Sequence, residues 1–143
     1  MASAERKRAL VIDDDEHIRE LLQVLLETAE FEVDTLRDGI DAVALKNDYH
    51  VILLDMKMPI FDGARLTDYW RLTDPAILRR VILLTGYRLT SDQDHGTFAV
   101  IAKPFDYQEV LTTVDACLRD AELCRESRHL SASVQLSGLP QAT

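Results

Sequence analysis

Cysteine is scarce in this chain of 143 residues, which holds only Cys117 and Cys124. They fall on or just after the last predicted helix, seven positions apart. Two helical turns separate them by about 10 Å, too far for a bridge within that helix. A disulfide scaffold is excluded, and the expected compartment is reducing, namely the cytoplasm. Long apolar runs are missing too. None approaches the roughly 18 residues of a membrane span, and nothing at the N-terminus reads as a signal peptide, so membrane insertion is not expected. The four histidines, His17, His50, His95 and His129, lack ligand spacing, which argues against zinc. Basic residues are outnumbered 16 to 25 by acids, giving a formal charge of −9. Such a field repels polyphosphate backbones, so direct nucleic-acid binding is not expected. The one dense basic run, Arg6-Lys7-Arg8, has no aromatic interleaving and reads as a solvated start. No internal repeat is found.

What is present is ordinary globular material, 47% hydrophobic and 29% charged, enough for one domain. Strands and helices alternate. Ala9 to Ile12 is a continuous apolar run, followed by Asp13-Asp14-Asp15 and a helix with Ile18, Leu21, Leu22, Leu25 and Ala29 at helical spacing. Asp15 is the expected cap. Phe31 to Leu36 reads as strand two, Ile40 to Lys46 as a short helix and His50 to Asp55 as strand three. Gly63 precedes a helix from about Ala64 to Leu72, in which Tyr69 and Trp70 read as packing residues. Val81 to Thr85 and Phe98 to Ala102 are strands four and five. Asp106 to Glu109 resembles a capping box for a last helix with an apolar stripe from Val110 to Ala121. The expected fold is α/β, a doubly wound parallel sheet with helices on both faces. Residues 1–7 are expected to form an N-terminal extension, 8–124 the domain and 125–143 a disordered tail, since that stretch is rich in Ser and Gln.

The strand ends carry the chemistry. Strand one ends in Asp13 and Asp14, strand three in Asp55, strand four in Thr85 and strand five in Lys103. In a sheet ordered 2-1-3-4-5 these groups meet at the switch point between strands one and three. Three crowded carboxylates repel one another unless a cation intervenes, and oxygen ligands completed by water describe a Mg²⁺ (or Mn²⁺) site. A carboxylate in such a place can attack phosphorus, with Lys103 and Thr85 receiving the phosphoryl oxygens. Taken singly, each residue has a plainer reading: a helix cap for the acids, a strand residue for Thr85, a solvated lysine for Lys103. Those readings do not account for all five residues at once.

Val11-Ile12-Asp13-Asp14, Leu54-Asp55-Met56-Lys57-Met58-Pro59 with Asp62-Gly63, Leu84-Thr85-Gly86 and Lys103-Pro104-Phe105 occur in that order. In this the chain resembles the CheY-like receiver domains of two-component response regulators, over about residues 7 to 123. The resemblance implies a flavodoxin-like (βα)5 fold. It makes Asp55 the phosphoacceptor and Asp13 and Asp14 the metal-side acids, with Asp55 and the Lys57 main-chain carbonyl completing the protein's metal ligands. Thr85, Gly86 and Lys103 would bind the phosphoryl group, and Lys57 and Tyr87 would tune its lifetime. A sensor histidine kinase or a histidine phosphotransfer protein would be the donor. The chain would catalyse its own phosphorylation and dephosphorylation without being an enzyme on other substrates, and would signal by contact with a downstream effector.

Two departures from the family stand out. The switch aromatic is expected three residues before the lysine, where this chain has Val100. Thr85 and Lys103 are eighteen positions apart, a few fewer than common, and Tyr87 to Gly96 is polar, so the fourth helix is expected to be short or missing and that segment to be the switch. A phosphohydrolase of the haloacid dehalogenase type is one rival, but it wants an acid two positions after the first, where Lys57 stands. A flavodoxin needs a phosphate-cradling loop after strand one, where this chain places three acids. A pseudo-receiver would lack part of the set. No output domain is expected to follow, the remaining alternative being a fragment of a larger regulator or hybrid kinase.

Overall fold

The apolar runs become strands because they alternate between two buried faces. In the computed structural model, which describes residues 6–44, 49–86 and 95–138 (side chains as far as 124), five parallel strands lie in the order β2-β1-β3-β4-β5. They are β1 (Arg8–Ile12), β2 (Glu32–Leu36), β3 (Val51–Asp55), β4 (Val81–Thr85) and β5 (Ala99–Ala102). On one face Ala9, Val11, Val51, Leu53, Ile82 and Leu84 pack with Leu22, Leu26, Val110, Val114 and Cys117. On the other, Leu10, Ile12, Ile52, Leu54, Val81 and Leu83 pack with Ala42, Leu66, Trp70 and Leu78. One-residue steps along each strand therefore feed opposite cores, which is why no polar alternation appears in β1, β3 or β4.

Helices α1 (Glu16–Thr28) and α4 (Tyr107–Gly138) cover the first face; α2 (Gly39–Val43), α3 (Gly63–Thr73) and a 3₁₀ helix (Pro75–Arg80) cover the second. Asp15 caps α1, its carboxylate accepting from the His17 and Ile18 N–H groups at 2.9 and 3.2 Å. Asp38 and Asp62 cap α2 and α3 in the same manner. Asp106 accepts from the Gln108 N–H at 2.8 Å at the start of α4, a simple cap in place of the reciprocal bond with Glu109 that a capping box would make. Trp70 is buried, whereas Tyr69 is exposed, because the two neighbours point to different sides of α3.

Two expectations change. The chain from Asp74 forms a 3₁₀ helix opened by Pro75, where no element was foreseen. More substantially, the expected disordered tail is helical through Gly138, so α4 runs for 32 residues. Between Cys124 and Gly138 there is no glycine or proline, and Arg, Glu, Leu, Ala and Gln offset the serines. Gly138 and Pro140 supply the stop signals. Composition was the wrong guide there. The expectation of a short or missing helix between β4 and β5 falls largely on residues 87–94, outside the described residues, as do the last two residues of the short helix expected to end at Lys46.

Candidate functional site

The register brings the strand ends to one edge. Ile12 lies opposite Leu54, Asp55 opposite Leu84 and Thr85 opposite Ala102, so Asp13, Asp55, Thr85 and Lys103 emerge side by side. Asp13 and Thr85 are buried, Asp14 is exposed and Asp55 retains only 5% of its surface. One oxygen from each of Asp13, Asp14 and Asp55 falls within 4.8 Å of the others.

Lys103 holds this cluster together. Its Nζ lies 2.9 Å from Asp13 Oδ2 and 3.2 Å from Asp55 Oδ1, while its main-chain N–H donates to the Thr85 carbonyl at 2.7 Å. The Lys57 N–H also donates to Asp55 Oδ1, at 3.3 Å. Both donors reach the same oxygen, and Asp55 Oδ2 takes no hydrogen bond from the described residues. Burial, then the Asp13 charge, push the Asp55 carboxyl up from 3.8 to about 7, against the pull of Lys103. Burial acts to lower the Lys103 ammonium, but hydrogen bonding and charge from Asp13 and Asp55 outweigh it and the net displacement is upward.

One ammonium faces three carboxylates, a surplus of negative charge in a crevice of hard oxygen donors. The set fits a small divalent cation such as Mg²⁺ or Mn²⁺: each of the three acids brings one oxygen to the same point, and no described side chain satisfies the Asp14 carboxylate.

Three contributors to the site escaped the sequence reading. The Asp15 N–H donates to Asp13 Oδ1 at 2.9 Å and fixes that carboxylate in place. Arg19 Nη1 donates to the Asp13 carbonyl at 2.8 Å, tying α1 to the strand end. Gly63 allows a close approach, since a Cβ there would stand 2.6 Å from the Asp55 carbonyl oxygen. Only the last left a visible sign, the Asp62-Gly63 pair after the β3 loop. Of the remaining sequence candidates, Lys57 is exposed two residues beyond Asp55, and Gly86 is exposed with no described atom within 4 Å of where its Cβ would stand. Tyr87 lies outside the described residues. Val100, in the place of the switch aromatic, is half-buried against the α2–α3 core.

A family model described as the response regulator receiver domain matches residues 9–115. The chain belongs to this family. It is 34% identical over 118 residues to the DNA-binding dual master transcriptional regulator RpaA of Synechocystis, an alignment covering 78% of this chain and 49% of RpaA. The response regulator TrrA of Thermotoga maritima, solved in complex with Mg²⁺-BeF, superposes with a TM-score of 0.70 at 31% identity, covering 78% of this chain and 99% of TrrA. The chemotaxis protein CheY4 of Vibrio cholerae gives a TM-score of 0.71 at 26% identity, covering 80% of this chain and all of CheY4. The receiver chain spans about half the length of most of the curated relatives it matches, from 29% to 58% among the first of them. Its order of strands is that of the flavodoxin-like receiver fold. No helix among the described residues is long and apolar enough to cross a membrane.

Proposed function

We propose that Asp55 accepts a phosphoryl group from the phosphohistidine of a sensor histidine kinase or histidine phosphotransfer protein. The observation that carries this reading is the two-sided state of Asp55: Oδ1 is held by Lys103 at 3.2 Å and by the Lys57 N–H, and Oδ2 is left for attack. Asp55 Oδ2 forms the new O–P bond as the N–P bond breaks and the departing imidazole takes up a proton. Lys103, detached from the aspartates as charge moves outward, meets a phosphoryl oxygen, and the Thr85 hydroxyl donates to another. Gly86, bare of side chain, lets its backbone approach the group.

Asp13, Asp14, Asp55 and the Lys57 carbonyl would hold Mg²⁺ or Mn²⁺, which when bound supplies neutralisation of the carboxylates and of the phosphoryl oxygens. Lys57 and Tyr87 tune how easily water reaches the acyl phosphate. Output passes by protein contact with an effector, a reading supported by the charge of −9, which disfavours a phosphate backbone. The free thiols of Cys117 and Cys124 support a cytoplasmic location.

The test is intact-mass measurement after incubation with acetyl phosphate and Mg²⁺. One acid-labile phosphoryl group is expected, absent with chelator and absent in Asp55→Asn. Equal labelling of the variant refutes the assignment.

A further inference from the structure

The end of the sheet opposite the carboxylates carries a cavity of its own. Lys7, His50 and Arg80 immediately precede β1, β3 and β4, so they mark the amino-terminal edge of the parallel strands. There a cavity of about 370 Å³ opens between that edge, the 3₁₀ helix and α4. Its volume falls in the range of small-molecule sites, about 300–1,000 Å³.

The lining is positive in a chain that is otherwise strongly negative. Lys7, Arg79 and Arg80 face Asp120 and Glu122 of α4, three cations against two carboxylates. Lys7 pairs with Glu122 at 3.5 Å and Arg79 with Asp120 at 3.2 Å, all four side chains being substantially solvated. Pairs of that kind contribute little and give way readily to a better partner. Arg80 is the remaining charge. It is half-buried, its Nη1 donates to the Tyr49 carbonyl at 3.2 Å, and no carboxylate among the described residues pairs with it. A guanidinium so placed has a neutral acceptor where an anion would satisfy it far better. Leu118 and Ala121 give the cavity an apolar wall against which a small organic body can lie.

We infer that this cavity binds a small phosphate-bearing molecule, with Arg80 on the phosphate and Lys7 and Arg79 released from their surface pairs to assist. The site is separate from the carboxylate crevice and does not depend on phosphorylation of Asp55.

Amide chemical-shift titration of the full ¹⁵N-labelled chain tests it, in an Asp55→Asn background so that the crevice does not report. The probes are inorganic phosphate, adenosine monophosphate and adenosine, at constant ionic strength. Saturable shifts are expected with both phosphates at residues 49–50, 76–80 and 118–124. Tighter binding of the nucleotide would assign the site to organic phosphates, and equal binding to the free oxyanion. Arg80→Gln should weaken binding about tenfold or more, with Arg80→Lys intermediate and both spectra well dispersed. Equal shifts with adenosine, non-saturating shifts spread over the surface, or indifference to Arg80→Gln in a folded protein would overturn the inference.

Discussion

Replacing Asp55 with Asn should make the metal-free protein more stable even as it removes the phosphoacceptor. The buried carboxylate is held near Asp13, and its carboxyl lies at about 7 in the fold against 3.8 for an exposed aspartate. At ~1.4 kcal/mol for each tenfold change in proton affinity, full ionisation inside the fold costs about 4 kcal/mol as an upper bound. Relaxation of the crevice and water around Lys103, which is 23% exposed, reduce this to about 1–3 kcal/mol. Asn keeps the shape and an oxygen for Lys103 and the Lys57 N–H. The sign follows from proton uptake. Folding raises the affinity of Asp55 for its proton, so the parent is relatively most stable below about pH 4 and loses that contribution as pH rises to about 7. The gain from Asn must therefore be near zero at about pH 4, grow between about pH 4 and 7, and be complete above.

Urea unfolding with chelator present measures this, followed through the single Trp70, which is buried on the core side of α3. Adding Mg²⁺ should stabilise the parent selectively, by about 2.7 kcal/mol at a hundred times the dissociation constant. A variant less stable than the parent at about pH 8, or a gain equal at about pH 5 and about pH 8, would refute the account of crowded carboxylates.

Three other perturbations follow from the same geometry. Lys103→Ala leaves the acids without their ammonium and should cost about 3 kcal/mol in chelator at about pH 8, together with loss of phosphorylation; unchanged urea midpoints would contradict the bridging role. Gly63→Ala places a Cβ 2.6 Å from the Asp55 carbonyl oxygen and 2.9 Å from Met56 Cα, so α3 must shift. A loss of about 1–3 kcal/mol and slower phosphorylation by acetyl phosphate are expected, and a neutral substitution would show that the contact relaxes freely. Burial pushes the Cys117 thiol up to about 11, while Cys124 is half-exposed. Iodoacetamide at about pH 8 should add one group to the folded chain and two in denaturant, and modification of both in the folded protein would count against the packing of α4.

The strands were legible because burial on both faces leaves a signature that needs no tertiary knowledge. Leu53 and Leu54 are adjacent in sequence but belong to different cores, so the run has to be apolar throughout. Helix α1 was equally plain, since Ile18, Leu21, Leu22 and Leu25 recur at helical spacing behind an Asp cap, although the fully buried pair is Leu22 and Leu26 and Ala29 is exposed. The end of α4 was not legible for the opposite reason. Beyond Cys117 the apolar stripe thins, and only the absence of a breaker before Gly138 signals that the helix continues. A rule that reads serine and glutamine as disorder weighs composition, while helix continuation is governed by interruption.

The site divides along the same line. Asp13, Asp55, Thr85 and Lys103 could be assembled from sequence because parallel pairing carries every strand end to one edge, whatever the side chains do locally. The parts that aim those groups depend on local backbone geometry. Asp15 was legible as the cap of α1, but its N–H also fixes Asp13, and nothing in the triplet Asp13-Asp14-Asp15 separates the buried acid, the exposed acid and the cap by function. Arg19 is one turn into α1 and reaches back to the Asp13 carbonyl, a contact that exists only because α1 leaves the strand at a particular angle. Side-chain type at a strand end thus indicates which chemistry is possible there. The turn that follows decides which oxygen is held and which is left to react.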